Sequence, residues 1–121
     1  MLKITREFTF EACHWLPKVS AGHKCAEWHG HSYRVRCEVF GENDPELGWI
    51  VDTAYIDDAW EQMHARLDHK KLNDTIDNPT TENLAIWLQE RFWKVFKDFP
   101  NIHKIGVHVQ ESPRSTAYYE G

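Results

Sequence analysis

Two segments near the start of the chain alternate between apolar and polar side chains. In residues 4–15, one face is apolar apart from Arg6, and the other carries Thr and Glu. Its members are Ile4, Phe8, Phe10, Ala12 and His14, and the matching face of residues 29–40 holds His29, His31, Tyr33, Val35, Cys37 and Val39. A period of two is typical of a half-buried strand. Residues 16–28 form a loop with Pro17 and Gly22, so we expect an antiparallel hairpin.

Helical spacing follows in the middle of the chain. Asp52 can cap a helix from about Thr53, and Thr80 or Thr81 can cap a second one that ends before Pro100. The apolar stripes are Ile56, Ala59, Trp60, Met63 and Leu67 in the first helix, and Leu84, Trp87, Leu88, Phe92, Val95, Phe96 and Phe99 in the second. Alternation returns at 105–111, and residues 115–119 are a candidate fourth strand. The order ββααββ predicts one α+β domain over 1–121, with a four-stranded antiparallel sheet and both helices on one face.

Composition narrows the class of protein. The chain has 121 residues, 41% of them hydrophobic, and six tryptophans, enough for an ordinary core. Three cysteines, an odd number, argue against a disulfide framework and predict at least one free thiol. A net charge of −5 argues against a nucleic-acid-binding surface, although it leaves room for a local basic site. The first residues are charged early, and no apolar run suits a membrane span, so we expect the cytosol.

Three histidines are placed to hold a metal ion. His29 and His31 share one strand face because they are two residues apart, and His14 ends the apolar face of the neighbouring strand. In an antiparallel hairpin all three point to the same side, near the loop end. Three neutral imidazoles with one open position are typical of catalytic zinc, whereas structural zinc normally has a fourth protein ligand. Each histidine alone is more often a surface or core residue.

Four other residues carry candidate chemistry, each with an ordinary alternative. Cys25 lies four residues before His29, close to the proposed metal ion. A cation there would favour its thiolate form and make it a base or nucleophile, and the alternative is that this cysteine has no chemical role. Asp68 and His69 follow the first helix and form a proton relay or a helix-end histidine that interacts with the dipole. Glu111 continues an apolar strand face. One interpretation is that it binds two adjacent N–H groups of a ligand, and the other is that the strand has ended and Glu111 is exposed. Cys37 is interpreted as packing, and Cys13 as packing or interface.

Six ordered motifs together resemble the 6-pyruvoyl-tetrahydropterin synthase family over nearly the whole chain. They are Phe8-Thr9-Phe10-Glu11-Ala12-Cys13-His14, residues 22–31 ending in His29-Gly30-His31, Gly48-Trp49-Ile50-Val51-Asp52, residues 67–73 around Asp68-His69, residues 78–85 around Thr81-Glu82, and Val109-Gln110-Glu111. The Cys-x3-His-Gly-His spacing resembles the bacterial branch, the 6-carboxy-5,6,7,8-tetrahydropterin synthases. One departure is the segment Ser112-Pro113-Arg114-Ser115-Thr116, which leaves product choice and triphosphate contacts open.

The resemblance implies a tunnelling fold whose sheets join into barrels in a homo-oligomer, expected to be a hexamer, with active sites at subunit interfaces. The implied reaction converts 7,8-dihydroneopterin triphosphate to 6-carboxytetrahydropterin, acetaldehyde and triphosphate, on the route to 7-deazaguanines such as queuosine. By matching positions, the zinc (Zn2+) ligands are His14, His29 and His31, the catalytic thiol is Cys25, the relay is Asp68 and His69, the pterin anchor is Glu111, and the residues bordering the pterin are Thr81 and Glu82. Basic candidates for the triphosphate are Lys18, His23, Lys24 and Arg114. The alternatives are the pyruvoyl-forming sister activity, a non-catalytic pterin-binding module and a structural zinc domain.

Overall fold

A computed structural model describes residues 1–121 as five strands and two α-helices. In chain order they are β1 (Leu2–His14), β2 (His29–Gly41), α1 (Thr53–Leu67), β3 (Lys70–Lys71), α2 (Thr81–Phe96), β4 (Ile102–Ser112) and β5 (Ser115–Tyr119). Short 3-10 helices cover Lys24–Ala26 and Leu72–Asp74. The predicted α+β class and the order of the long elements are confirmed. Neither helix combines the length and the apolar character that crossing a bilayer requires.

The sheet has the strand order β3-β1-β2-β4-β5. The four long strands pair antiparallel, and the predicted hairpin is present with His14 opposite His29 and Ala12 opposite His31. The short β3 was not expected, and it pairs parallel to β1 beside Ala12 and Cys13. Two exposed lysines have no periodicity, so only the fold reveals this strand. The sheet is therefore mixed, with five strands rather than four.

The core lies between one face of the sheet and the two helices. All five residues of the predicted α1 stripe are buried, and the Trp60 ring stacks on Phe8 of β1 at 4.9 Å. Asp52 and Thr80 act as the predicted N-caps, because their side chains accept hydrogen bonds from the backbone N–H groups of Ala54 and Asn83. These caps fix where each helix begins, and Thr80 places the start of α2 beside the histidine end of the hairpin.

The buried stripe of α2 differs from the prediction at its edges. Val95 is 43% exposed, and Phe99 follows the end of the helix, although it packs against the core. Ala85 and Gln89 are buried instead. The Gln89 side-chain amide donates to the carbonyl oxygen of Ile105 at 3.1 Å, so a polar residue ties α2 to β4. Hydrophobicity alone does not identify such a buried amide.

The opposite face of the sheet is polar and carries no helix. Arg36 pairs with Glu7 across β1 and β2 at 3.0 Å. Further along, the carboxylate of Glu38 is only 4% exposed and pairs with Lys3 at 2.6 Å and His108 at 3.3 Å. Burial raises the pKa of Glu38, but the hydrogen bond from Lys3 and the neighbouring His108 ring outweigh burial and hold it below its ordinary value. This carboxylate is therefore ionised and compensated within a single chain.

Candidate active site

The three predicted metal ligands lie together at the loop end of the β1–β2 hairpin. Their ring centroids are 4.5 to 5.1 Å apart, and one nitrogen from each ring lies within 4.8 Å of the others. His14 is buried, whereas His29 and His31 are half-buried. The register of the hairpin causes this convergence, because it places His14 opposite His29, and His31 lies two residue pairs further along on the same face. The arrangement has the nitrogen donors that zinc prefers, on one face and close together.

Backbone carbonyls determine which nitrogen is free in two of the three rings, those of His14 and His29. Nδ1 of His14 donates to the carbonyl oxygen of Pro79 at 2.7 Å, and Nδ1 of His29 donates to that of Glu27 at 2.8 Å. A carbonyl can only accept, so each Nδ1 carries the proton and each Nε2 keeps its lone pair. Nε2 of His14 and of His31 are buried without a hydrogen-bond partner. Buried nitrogens without a partner fit a metal ion, and the carbonyls that support His14 and His29 are typical of metal-binding histidines.

Burial keeps the two inner imidazoles neutral. Removal from water lowers the pKa of His14, against a raising effect of the Pro79 hydrogen bond, and it also lowers the pKa of His31. Neutral imidazole is the form that binds a metal. The donor set therefore fits zinc both in geometry and in protonation state.

Sequence reasoning missed the residues that hold His14 in place. The phenol oxygen of Tyr33 lies 3.4 Å from Nδ1 of His14, and its ring stacks on Phe10 at 4.8 Å. Asn73 exchanges hydrogen bonds with the backbone of Trp15, at 3.1 and 3.0 Å, and fixes the chain just after the ligand. The position of Tyr33, two residues after His31 on the same strand face, was the only available sign of its role.

Cys25 and Glu111 line the same cavity as His29 and His31, with a volume of about 670 Å³. Cys25 is half-buried in the short 3-10 helix, where its N–H donates to Nδ1 of His23 at 3.0 Å and its carbonyl accepts from Leu16 at 2.8 Å. His23, a candidate for the triphosphate in the sequence, thus caps the turn that carries the thiol. The loop places the thiol on the wall of the cavity that the histidines also line.

Glu111 lies within β4 and is half-buried. It accepts a hydrogen bond from the Thr81 hydroxyl at the first residue of α2. Thr81, Glu82 and Glu111 line a second cavity of about 650 Å³. Glu111 borders both cavities, so it stands between the thiol and the start of α2. The alternative that the strand has ended before this residue is wrong.

Asp68 and His69 are fixed against β1. The Asp68 carboxylate accepts from the Glu11 N–H at 2.9 Å, and His69 adopts a left-handed backbone (φ 56°) while its N–H donates to the Glu11 carbonyl at 2.6 Å. The Glu11 hydrogen bond, followed by the charge of His69, lowers the pKa of Asp68. Nε2 of His64, in the last turn of α1, lies 3.4 Å from the same carboxylate. The pair is held in a defined geometry with an ionised aspartate.

Within one chain, however, this pair does not share a cavity with the thiol. His69 lines a cavity of about 580 Å³ with Cys13, Lys70 and the candidate metal ligand His31, and neither Asp68 nor Cys25 is part of it. The His69 side chain is 79% exposed. Within one chain, Cys25 and Glu111 therefore line one cavity and His69 lines another, and His31 borders both.

An α+β fold in which three clustered histidines lie near a thiol and a half-buried carboxylate defines a class of candidate metalloenzymes. The family model described as 6-pyruvoyl tetrahydropterin synthase matches residues 3–121. The chain belongs to this family.

Relatives within the family carry different names. The chain is 32% identical over 123 residues to 6-carboxy-5,6,7,8-tetrahydropterin synthase of Synechocystis, covering 96% of this chain and 91% of the relative. It is 34% identical over 95 residues to dihydroneopterin monophosphate aldolase of Pyrococcus furiosus, covering 76% and 75%. Its fold is similar to the solved 6-pyruvoyl tetrahydropterin synthase of Caenorhabditis elegans, with a TM-score of 0.84, 26% identity and coverage of 99% and 95%. These relatives support an enzyme of pterin biosynthesis.

Proposed function

We propose that the protein is a zinc-dependent 6-carboxytetrahydropterin synthase. Its substrate would be 7,8-dihydroneopterin triphosphate, and its products 6-carboxytetrahydropterin, acetaldehyde and triphosphate, on the route to queuosine and other 7-deazaguanines. The observation that carries the proposal is the shared cavity of His29, His31, Cys25 and Glu111. The cytosolic location remains a prediction from the sequence.

His14, His29 and His31 would hold the zinc through their Nε2 atoms. Zinc, when bound, supplies a Lewis acid that polarises a substrate oxygen. The protein supplies the neutral imidazoles and the carbonyls of Pro79 and Glu27 that orient two of them. A fourth protein ligand is not part of the cluster, which favours a catalytic site over a structural one.

Glu111 and Cys25 would divide the work of binding and proton transfer. A half-buried carboxylate with one Thr81 hydroxyl as donor keeps acceptor capacity for two adjacent N–H groups, such as those of a 2-amino-pyrimidinone ring. Anchoring the ring there would direct its side chain towards the histidines and Cys25 in the same cavity. The thiol would then accept a proton from that side chain.

Asp68 and His69 would reach the site from a second copy of the chain. The separation of these residues from Cys25 within one chain supports a homo-oligomer, expected to be a hexamer, with each active site at an interface. The exposed His69 ring is available for such a contact, and the ionised Asp68 would orient it. The relay would act on the opposite side of the substrate from the thiol.

Product analysis tests this proposal against its alternatives. Zinc-loaded protein is incubated with 7,8-dihydroneopterin triphosphate, and we expect acetaldehyde and 6-carboxytetrahydropterin. Release of triphosphate with 6-pyruvoyl-tetrahydropterin would instead assign the sister activity. No product with retained pterin binding would assign a non-catalytic binding module.

A second candidate function follows from the relative named dihydroneopterin monophosphate aldolase. Cleavage of the side-chain carbon–carbon bond of the dihydroneopterin phosphate would give a hydroxymethyl pterin and a phosphorylated glycolaldehyde. The same incubation, repeated with the monophosphate, separates the two activities. Hydroxymethyl pterin as the main product would overturn the carboxytetrahydropterin assignment.

A further inference from the structure

Two basic side chains from different loops line the cavity that contains Cys25, His29 and His31. Lys24 precedes Cys25 in the short 3-10 helix, and Arg114 lies in the turn between β4 and β5. Neither forms an ion pair within the chain, unlike the basic residues Lys3, Arg6, Arg36 and Lys104. The charges of Lys24 and Arg114 are therefore free to meet a ligand.

The charge balance of this cavity differs from that of the chain as a whole. The net charge of the chain is −5, yet Glu111 is the only acidic residue that lines the cavity. Its carboxylate is engaged by Thr81. Two cations against one carboxylate, even before a metal ion is added, create a positive local potential that favours an anionic ligand.

The two cations come from different loops, one next to Cys25 and the other close in sequence to Glu111. Arg114 lies three residues after Glu111 on one hairpin, and its N–H donates to the Ser112 hydroxyl at 3.2 Å, which fixes the turn. It also lines the second cavity with Thr81. Lys24 instead adjoins Cys25. A ligand anchored at Glu111 that extends past the thiol thus has a cation within the same cavity at either loop.

We propose that Lys24 and Arg114 bind the phosphate groups of the substrate side chain. The inference rests on the proposed function and identifies the residues that recognise the charged end of its substrate. Arginine offers a planar pair of donors to phosphate oxygens, and lysine adds a mobile point charge. Two cations from separate loops suit a chain of phosphates better than one phosphate. The pair therefore selects the triphosphate over the monophosphate.

Equilibrium binding of non-reacting ligands tests this assignment. Fluorescent neopterin, its monophosphate and its triphosphate are titrated into zinc-loaded protein, with inorganic triphosphate titrated separately by calorimetry. Wild type should bind neopterin triphosphate more tightly than neopterin. Arg114→Ala and Lys24→Ala should each reduce that preference by about tenfold, as expected for a charge-assisted hydrogen bond, and leave neopterin affinity unchanged. Arg114→Lys should retain part of the preference.

Matched controls keep the result specific. Arg34→Ala removes an exposed arginine from the helix-free face, outside this cavity, and should leave every affinity unchanged. Unchanged preference for the triphosphate in both Arg114→Ala and Lys24→Ala would overturn the assignment. The assignment would also be wrong if only Lys70→Ala, in the cavity of His69, lost this preference. If the wild-type protein bound none of the three pterins, the proposed function would fail. Titration with inorganic triphosphate would still test whether Lys24 and Arg114 bind phosphate groups. Weaker binding of inorganic triphosphate to both variants than to wild type supports the assignment to Lys24 and Arg114. Equal binding to the variants and wild type refutes this assignment.

Discussion

The carbonyl oxygen of Pro79 lies 2.7 Å from Nδ1 of His14 and fixes the tautomer of a buried imidazole. Pro79 precedes α2, whereas His14 ends β1, so the junction between sheet and helix sets the direction of a candidate metal-binding nitrogen. The His29 ring is fixed in the same way by Glu27. Two of the three rings thus need no change of tautomer to bind zinc, and their orientation is set by the fold.

His29→Ala should abolish zinc binding and leave the fold intact. The ring is half-buried at the end of a strand, so its removal costs little packing. Zinc affinity should fall by more than about a hundredfold. Loss of a group that only hydrogen-bonds to a metal ligand already lowers metal affinity by about ten- to a hundredfold, and loss of the ligand itself should cost more. Metal content by mass spectrometry and far-UV circular dichroism measure the two effects.

His103→Ala is the matched control, since His103 lies at the start of β4 and pairs only with Glu42. It should retain zinc. Loss of both zinc and fold in His29→Ala would show that the metal is structural, which contradicts the catalytic interpretation.

Cys25→Ala should remove turnover but not ligand binding. Proton transfer by a positioned side chain contributes about a hundred- to ten-thousandfold, so acetaldehyde release should fall by that factor. The melting temperature should stay unchanged, because the thiol forms no hydrogen bond and lies in a half-exposed turn. Single-turnover assays and neopterin fluorescence measure rate and affinity. Wild-type turnover in the variant would assign the proton transfer to another base.

Glu111→Gln should weaken pterin binding by about ten- to a hundredfold, as expected when a charged hydrogen bond is lost. Thr81→Val should have a smaller effect, because it removes only the hydroxyl that positions the carboxylate. Glu90→Gln, at an exposed position of α2, is the control and should bind normally. Fluorescence titration with neopterin gives all three affinities. Equal affinity of Glu111→Gln and wild type would place the heterocycle elsewhere.

Much of the fold follows from local patterns in the sequence. Caps at Asp52 and Thr80 and the alternation of β1 and β2 lead directly to the observed elements, and the same alternation places the three histidines on one face. The two-residue β3 does not follow, because its pairing depends on the left-handed His69 backbone and the Glu11 carbonyl. The support of His14 by Pro79, 65 residues away, is equally a product of the tertiary fold. Long-range contacts of single residues leave no periodic trace.

Mixing two inactive variants should restore activity if the site lies between subunits. Cys25→Ala removes the thiol from one cavity, and Asp68→Asn removes the charge beside His69, which lines a different cavity of the same chain. Equal amounts assembled at random should regain about a quarter of wild-type activity, because some interfaces then combine two intact groups. Co-refolded mixtures are compared with each variant refolded alone, with acetaldehyde release as the measurement. No recovery in mixtures that size-exclusion chromatography shows to be assembled would place both groups in one chain.

The Glu38–Lys3 ion pair should make stability depend on pH in the acid range. The folded-state pKa of Glu38 lies below its ordinary value of 4.5, so its ionised form stabilises the fold above that pH. The contribution is lost as the pH falls through the lowered folded-state pKa. Glu38→Gln should therefore be less stable than wild type at pH 7, by about 1 to 3 kcal/mol, and this gap should close in acid.

Urea denaturation across the pH range measures this difference in stability. Lys3→Met removes the partner of Glu38, and Lys97→Met, at an exposed lysine without an ion pair, is its control. A gap that stayed constant from neutral to acid pH would show that Glu38 contributes through packing and not through its charge.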